Sequence, residues 1–347
     1  MTPTSADRSQ RKADSHIIME KTPLIRPTTR HSKAAKPSTS TPRQSFDFAS
    51  EDLIPPKDRA DDEGQLASVK ALPALLTTEL TGLAKRDLDV LQSKQALLRD
   101  LRRSMPAEAS HIARAIEATL IFGQEEAGTA VCIAPQGLLL TCSHCIAESP
   151  EELDTTAGKW LLFASGQIAR AYCIAWDPIK DLALMQITGV QHSPSSMEMS
   201  SILPEMASSR TARTSTFSFP FVHTAKAPLR GRSALVCIGQ PGSEDLEVDR
   251  AGVKTDYDVL HVSHGNFRGY APGQDLQDNS EIGALKHDCW TYWGHSGAPL
   301  VERRTGCLVG LHSSWDETTL MRRGIAPEAI QEFLELHVSI DEFPSCR

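Results

Sequence analysis

The chain has 347 residues, of which 40% are hydrophobic, and a formal net charge of −8 at pH 7. This length allows a sizeable folded region plus about 110 residues of other material. The negative charge argues against general nucleic-acid binding. The sequence contains no apolar run of about 18 residues that could span a membrane. We therefore expect no nucleic-acid partner and no membrane span.

Residues 1–57 are rich in Ser, Thr, Pro, Lys and Arg and contain few aromatic residues. Such a composition cannot bury enough apolar surface to offset chain entropy, so it predicts a disordered basic tail. The short apolar patch Ile17-Ile18-Met19 is too small to be the core of a secretory signal. We therefore expect an intracellular protein, either cytoplasmic or nuclear.

An amphipathic helix is predicted between Pro73 and Ser104, inside a helical extension that spans 58–112. Its apolar residues recur at the spacings typical of one helix face. They are Leu76, Leu80, Leu83, Val90, Leu97 and Leu101. We expect this face to pack on the rest of the protein. The alternative is self-association of helix 73–104 as a coiled coil, although Asp87 and Lys94 interrupt the apolar seam.

A β-hairpin is predicted where two apolar runs flank the turn Pro135-Gln136-Gly137. The second run leads into Cys142-Ser143-His144-Cys145, so the hairpin delivers His144 at the end of a strand. An imidazole in this position could serve as a general base, or it could be an ordinary half-buried histidine.

Asp181 is the single carboxylate at the start of an apolar strand that continues through Ile187. It is therefore positioned to be buried, where it could orient an imidazole or simply cap the strand end. Asp177 competes for the same role. Because Asp177 precedes Pro178, it is more typical of a turn.

Three later segments complete the predicted elements. The stretch between Ile187 and Ser233 is rich in Ser, Thr and Pro without a clear period, which predicts a disordered insertion or a lid. Residues 234–242 predict a buried strand that ends in a turn. Residues 324–334 have apolar positions at helical spacing and predict a helix near the end of the chain.

Gly294-His295-Ser296-Gly297 places a serine between two glycines. A serine hydroxyl is a poor nucleophile, so it needs an imidazole that accepts its proton and a carboxylate that fixes the imidazole tautomer. His144 and Asp181 supply these two groups for Ser296. The backbone N–H groups of Gly294 and Ser296 could then hold an oxyanion. Taken alone, the same serine is more often a turn residue.

These ordered motifs resemble the trypsin-like (chymotrypsin-fold) serine peptidases over about 113–335. The motifs are GTAVCIAPQGLLLTCSHC with His144, DLALMQI with Asp181 and GHSGAPLV with Ser296. The resemblance implies an all-β catalytic region, in which two antiparallel Greek-key β-barrels hold the active site between them. An α-helical N-terminal extension and a disordered tail are added to that region.

The same resemblance divides the chain into domains. It implies a first barrel over 113–190 with His144 and Asp181. A connection or insertion is expected over 191–232. A second barrel with Ser296 and a C-terminal helix is expected over 233–347.

Within the family, the residues around the serine are most similar to those of the bacterial glutamyl endopeptidases. The similar segments are Cys289-Trp290-Thr291-Tyr292-Trp293 and Gly310-Leu311-His312. The resemblance implies that Thr291 and His312 line the primary pocket, where a hydroxyl and an imidazole could hold a substrate carboxylate. It also implies that an extended substrate lies near Ser313 and Trp315 as an added strand.

Three positions depart from the digestive branch of the family. His295 stands where an Asp or Asn usually precedes the serine, so activation through a salt bridge to a new N-terminus is not expected. Trp290 and Trp315 stand where the digestive enzymes have a charged pocket residue and a small one. We therefore do not expect cleavage after Lys or Arg.

The eight cysteines lie mostly in apolar segments, which is typical of reduced, small core residues. Cys142 and Cys145 form a C-x-x-C pair, but the sequence has no second such pair to complete a four-ligand zinc site. We therefore expect no metal and no cofactor. Oxidation of this pair with displacement of His144 is an alternative that the sequence leaves open.

The sequence as a whole predicts a serine endopeptidase that acts on polypeptides through an acyl-enzyme intermediate. His144, Asp181 and Ser296 are the predicted catalytic residues, and an acidic P1 residue (the residue before the cleaved bond) is the predicted preference. One alternative is a catalytically silent, protease-like peptide-binding module whose groove is blocked by Trp293, Trp315 or the 188–232 segment. Another is an esterase that uses the same triad.

Overall fold

The computed structural model describes residues 74–76, 80–105, 108–123, 128–191, 218–226, 228–245, 250, 252–338 and 345–346. The tail predicted over 1–57 lies outside these residues, as do 192–217 of the predicted connection. Within the described part of the chain, no helix is both long enough and apolar enough to cross a membrane.

Six antiparallel strands form the first barrel. The order is β7-β4-β3-β2-β5-β6, and pairing of β6 with β7 closes it, while the short β1 adds to β7 in parallel. The strands are β1 Ala74–Leu75, β2 Thr119–Phe122, β3 Thr129–Ala134, β4 Leu138–Thr141, β5 Lys159–Phe163, β6 Ile168–Asp177 and β7 Leu182–Val190. Strands β2, β3 and β4 are buried along their whole length, because the barrel interior and the packed exterior both exclude water from them.

The second barrel has the same construction. Its order is β12-β9-β10-β11-β14-β13, closed by pairing of β12 with β13, while β8 and β15 extend it in parallel from β13. The strands are β8 Thr224–Ala225, β9 Ala234–Gly239, β10 His261–Tyr270, β11 Leu285–His287, β12 Pro299–Glu302, β13 Leu308–Trp315, β14 Arg322–Ile325 and β15 Ser345–Cys346. Two closed six-stranded antiparallel barrels confirm the predicted fold class.

The predicted hairpin is confirmed as β3 and β4, which pair in antiparallel register. Gly137 in its turn has φ 83°, a left-handed value that favours glycine. A Cβ at Gly137 would also meet the ring of Phe219 at 2.7 Å. The turn therefore needs glycine for two reasons, and β4 ends three residues before His144.

Helix α1, Lys85–Ser104, packs on the first barrel through Leu91 and Leu98, which are almost fully buried. The amide of Gln95 donates to the carbonyl oxygen of Gly166 at 2.7 Å, and the ammonium of Lys94 donates to that of Phe122 at 2.8 Å. Burial lowers the pKa of Lys94 to about 8. The helix thus packs on the barrel as predicted, but through Leu91 and Leu98, whereas Leu97 of the predicted face is 54% exposed. Self-association of this helix stays a prediction.

The helix begins later than predicted. Ala74–Leu75 forms β1, whose backbone pairs with Gly189 and Val190 at the end of β7, and Thr81–Leu83 forms a turn and bend. Pairing with the barrel satisfies the backbone groups that a helix would otherwise bond, and Gly82 disfavours helix at the turn. The prediction of one unbroken helix was therefore wrong at Ala74–Leu75 and at Thr81–Leu83, although Leu80 between them is helical and its N–H donates to the carbonyl oxygen of Leu76 at 3.0 Å.

Two further helices flank the barrels. Helix α2, Ser110–Ala118, runs directly into β2. Helix α3, Pro327–His337, has proline at its first position, where no backbone N–H is needed. Its buried residues Ile330 and Phe333 join the apolar core. The helix predicted over 324–334 is therefore confirmed with a shift of three residues at each end.

The end of the predicted connection is packed against both barrels. Phe219 is buried and stacks on Phe163 of β5, with ring centroids 5.7 Å apart. The backbone N–H of Val222 donates to Cys132 of β3, and His223 accepts from Leu308 of β13. This part of the predicted connection is therefore ordered and packed against both barrels.

The cysteines only partly match the prediction. Six are free thiols, namely Cys132, Cys142, Cys145, Cys173, Cys237 and Cys289. Cys307, however, is disulfide-bonded, so the prediction that the cysteines are reduced is wrong for this residue. Spacing along the chain does not reveal a pairing that folding creates. The predicted intracellular location stays a prediction.

The docking of α1 predicts unequal effects of two leucine substitutions. Leu91→Ala is expected to lower the free energy of unfolding by about 2–5 kcal/mol, because it leaves a cavity against the barrel. Leu97→Ala on the same helix is the control, since Leu97 is 54% exposed, and a change below about 0.5 kcal/mol is expected. Urea denaturation measures both. Equal effects would contradict packing of α1 through its Leu91 face.

Candidate active site

His144 lies on a single 3₁₀ turn, Ser143–Cys145, immediately after β4. The backbone N–H of Cys145 donates to the carbonyl oxygen of Cys142 at 3.2 Å and closes this turn. Nδ1 of His144 lies 2.8 Å from Oδ1 and 3.1 Å from Oδ2 of Asp181. The imidazole side chain is 20% exposed, whereas the carboxylate is only 2% exposed. The structure thus brings together two of the three predicted catalytic residues in direct contact.

Asp181 lies just before β7 and has φ 54°, in the left-handed region that Asp tolerates better than most residues. Its Oδ1 also accepts the hydroxyl of Ser143 at 2.9 Å and the backbone N–H of His144 at 3.3 Å. A buried carboxylate needs such donors to remain ionised. Ser143 was missed in the sequence, although a hydroxyl directly before the histidine was the signal that could have identified it.

Asp177, the competing acid, has a different role. Its Oδ1 accepts the backbone N–H groups of Ile179 and Lys180, each at 2.9 Å. These bonds are those of an Asx turn. Asp177 is therefore the turn residue that its position before Pro178 predicts.

Ser296 is held between the two barrels. Its carbonyl oxygen accepts the N–H of Thr129 in β3 at 2.9 Å, and the next residue, Gly297, donates to His312 of β13 at 2.8 Å. A Cβ at Gly297 would collide with the carbonyl oxygen of Thr129, so only glycine fits after the serine. The Ser296 hydroxyl donates to the carbonyl oxygen of Ser313 at 3.4 Å.

The backbone before Ser296 leaves two N–H groups available for an anion. The N–H groups of His295 and Ala298 donate to Tyr292 and His295. Those of Gly294 and Ser296 have no acceptor within the described part of the chain. Gly294 has φ 99°, which a residue with a side chain rarely adopts. Two such donors next to a hydroxyl are the arrangement that stabilises a developing oxyanion.

The predicted pocket residues lie close together, with an arginine that the sequence did not indicate. Thr291, His312 and Ser313 are buried, and Trp315 is half-buried. Nε of Arg322 donates to the hydroxyl of Thr291 at 3.2 Å, and Nη2 donates to its carbonyl oxygen at 3.3 Å. The Arg322 guanidinium also lies 5.5 Å from the ring centroid of Trp315. A positive charge therefore lies at the predicted pocket.

A family model for the "Trypsin-like peptidase domain" matches residues 128–311, which is more than half of the chain. This chain belongs to the trypsin-like peptidase domain family. The match includes His144, Asp181 and Ser296, and the two barrels are the trypsin-like fold. No curated protein matches the chain.

Solved structures of serine proteases are also similar. One is Rv3671c from M. tuberculosis H37Rv, in the inactive form of a serine-to-alanine mutant, with 14% identity, TM-score 0.42, and a match that covers 67% of this chain and 96% of the other. Another is the serine endoprotease from Yersinia pestis, with 16% identity, TM-score 0.43, and coverage of 68% and 70%.

Buried histidines lie in the second barrel of this trypsin-like peptidase domain. Nε2 of His287 lies 3.1 Å from Nδ1 of His312, and the ring of His295 packs against that of Trp290. Burial lowers the pKa of His287 and of His295 to about 3 each, and it lowers the pKa of His312 well below its usual value. These imidazoles are therefore neutral near pH 7. His295 is a buried aromatic neighbour of Trp290.

Two tryptophan rings bear on access to the predicted pocket. The rings of Trp293 and Trp315 meet edge to face with centroids 6.5 Å apart, beside the predicted pocket.

Cys142, His144 and Asp181 offer three ligand atoms within 4.8 Å of one another. A metal ion that bound His144 through Nδ1 would replace the hydrogen bond between His144 and Asp181.

The buried histidines predict a loss of stability in acid. In the unfolded chain their pKa is about 6.5, whereas in the folded chain it is about 3 for His287 and His295. The unfolded state therefore binds more protons between these values, and the free energy of unfolding falls as pH is lowered through this window. The slope is up to about 1.4 kcal/mol per pH unit for each histidine.

Urea denaturation at about pH 7 and about pH 5.5 measures this slope. His295→Gln or His287→Gln is expected to reduce it, because each variant removes one titrating group. His337→Gln, at an exposed position on α3, is the control and should keep the full slope. An unchanged slope in both buried variants would contradict the neutral state of these imidazoles.

Proposed function

We propose that this chain is a serine endopeptidase in which Ser296 attacks the peptide bond, His144 transfers the proton and Asp181 orients His144. The observation that carries the proposal is the 2.8 Å contact between His144 and a buried carboxylate, on a turn that also touches Ser296. That second contact joins Sγ of Cys145 to the carbonyl oxygen of Ser296 at 3.5 Å. Family membership supports the peptidase class.

The path of the Ser296 proton follows from the tautomer of His144. Because Asp181 accepts at Nδ1, the proton of a neutral His144 resides there and Nε2 keeps its lone pair. The Ser296 hydroxyl would exchange its weak bond to Ser313 for Nε2, since such bonds often tighten only when substrate binds. Proton transfer to Nε2 then accompanies attack on the carbonyl carbon, and the imidazolium is stabilised by Asp181.

The remaining steps need an oxyanion site and a returned proton. As the tetrahedral intermediate forms, the N–H groups of Gly294 and Ser296 would bond its oxygen, where one donor contributes about 3 kcal/mol. His144 then gives its proton to the leaving amine, and an acyl-enzyme remains on Ser296. Water attacks the acyl group by the same route, and Ser296 regains its proton.

We further propose a preference for an acidic P1 residue, as in the glutamyl endopeptidases. Thr291 and His312 would contact the substrate carboxylate, as the sequence predicted. His312 is neutral near pH 7, so it offers a hydrogen bond and not a charge. The charge would come from Arg322, which bonds Thr291 directly. Residues Ser313 to Trp315 would pair with the extended substrate backbone.

The contact between Trp293 and Trp315 favours one competing function, a silent peptide-binding module with a closed groove. An esterase with the same three residues is the other alternative. It would cleave small esters but no peptide. These outcomes are separated by the following experiment.

Labelling with a fluorophosphonate probe tests the nucleophile. Wild-type protein is expected to react at Ser296, and Ser296→Ala to lose all labelling. Asp181→Asn should lower kcat for peptide cleavage by about 10⁴-fold, because the imidazole then has the wrong tautomer. Ser104→Ala at the exposed end of α1 is the control, with labelling unchanged. Folded wild-type protein without labelling would instead support the silent module.

The P1 preference is tested by the ratio of kcat/KM for matched peptides with Glu and Gln at P1. Arg322→Gln is expected to lower this ratio by about 10–100-fold, since hydrogen bonds to charged groups contribute about 1.5–3 kcal/mol. Cleavage of the Gln peptide should change little. Arg304→Gln, whose side chain is 77% exposed, is the matched control. A wild-type peptide profile with no acidic preference, or an unchanged ratio in Arg322→Gln, would rule out this specificity.

A further inference from the structure

Two thiols flank the proposed general base on the same turn. Cys142 precedes Ser143-His144, and Cys145 follows. A four-residue turn brings its first and last Cα atoms within about 7 Å, and disulfides span Cα separations of about 4.4–6.8 Å. The backbone N–H of Cys145 donates to the carbonyl oxygen of Cys142 at 3.2 Å, so the two residues are the ends of one closed turn. The backbone of this turn is therefore compatible with a disulfide between the two residues.

Each thiol also contacts another part of the site. Sγ of Cys142 donates to the carbonyl oxygen of His312 at 3.4 Å, and Sγ of Cys145 donates to that of Ser296 at 3.5 Å. A disulfide carries no S–H group, so its formation would remove both donors. It would thereby release the His144 turn from Ser296 and from β13.

The two sulfur atoms differ in environment. Cys142 is fully buried, and burial raises its pKa well above the usual value. Cys145 is half-buried, and the hydrogen bond that its thiolate accepts from the Cys142 thiol lowers its pKa to about 7. Since the thiolate is the reactive form, Cys145 is the sulfur that meets an oxidant, and Cys142 is the resolving partner.

We propose that Cys142 and Cys145 form a redox site which hydrogen peroxide closes to a reversible disulfide, and that closure lowers peptidase activity by displacing His144. This inference rests on the proposed function. It assigns a modification site to a thiol pair that the peptide-cleavage mechanism does not use.

The chemistry balances in two steps. The Cys145 thiolate attacks one peroxide oxygen, the O–O bond breaks, and the departing hydroxide takes up the proton that the thiol had lost, giving one water and a sulfenic acid. Sγ of Cys142 then attacks Sγ of Cys145, and the S–O bond breaks. The hydroxide that leaves takes the Cys142 proton as a second water. Two electrons pass from the sulfur atoms to the peroxide, and a dithiol reductant reverses the change.

The effect on activity follows from the position of His144 between the two sulfurs. A displacement of about 1 Å at a catalytic group can reduce the rate about 10²-fold. Such a shift would most directly affect the 2.8 Å hydrogen bond from Nδ1 of His144 to Asp181. We expect the disulfide form to react with a fluorophosphonate probe at a rate about 10–100-fold lower than the dithiol form.

The test compares full-length protein after mild peroxide with the same protein after dithiothreitol. Peptide mass spectrometry should find Cys142 and Cys145 joined, with two hydrogen atoms lost, and the labelling rate should fall and recover with reductant. Cys142→Ser and Cys145→Ser should each abolish the reversible loss, judged by the ratio of oxidised to reduced rates within each variant. Cys173→Ser, on β6, is the matched control and should respond like wild type.

The outcomes separate the two proposals. Absence of labelling in reduced wild-type protein would overturn the proposed function, and with it the effect on activity. The mass measurement tests the thiol pair independently, and failure to form the Cys142–Cys145 disulfide would overturn the redox site. A disulfide that forms and leaves the labelling rate unchanged would overturn the displacement of His144.

Discussion

The buried carboxylate of Asp181 is the constraint on which the site depends. A charged group that is 2% exposed is stable only when polar partners replace its water. Here those partners are the hydroxyl of Ser143 and the backbone N–H and imidazole of His144, all on one turn. The need to satisfy this carboxylate therefore also fixes the orientation of the imidazole, so stability and the proposed catalysis depend on the same bonds.

The serine is positioned by a different kind of contact. Its backbone is bonded to Thr129 of the first barrel, and Gly297 is bonded to His312 of the second. Ser296 thus lies where the barrels meet, close to the turn that carries His144. Closure of each barrel sets where its strands end, and the short contacts between the barrels join the two halves of the proposed triad.

The second barrel combines buried, neutral imidazoles with a charged guanidinium. His287, His295 and His312 are buried and neutral near pH 7, so they shape the interior without adding charge. Arg322 is the cation beside Thr291. Because a neutral imidazole binds a carboxylate only as a hydrogen-bond donor, the acidic preference that we propose depends on Arg322 more than on the histidine that suggested it.

Local pattern in the sequence determined the hairpin before His144, the apolar strand after Asp181, the glycines around Ser296 and the terminal helix, because turn chemistry and apolar periodicity act over a few residues. Only the tertiary structure decided the features that depend on distant partners. Arg322 reaches Thr291 across 31 residues, Ser143 reaches Asp181 across 38, and pairing of β1 with the first barrel displaces the start of α1. Such contacts arise when the barrels close, and closure leaves no periodic signal in the chain.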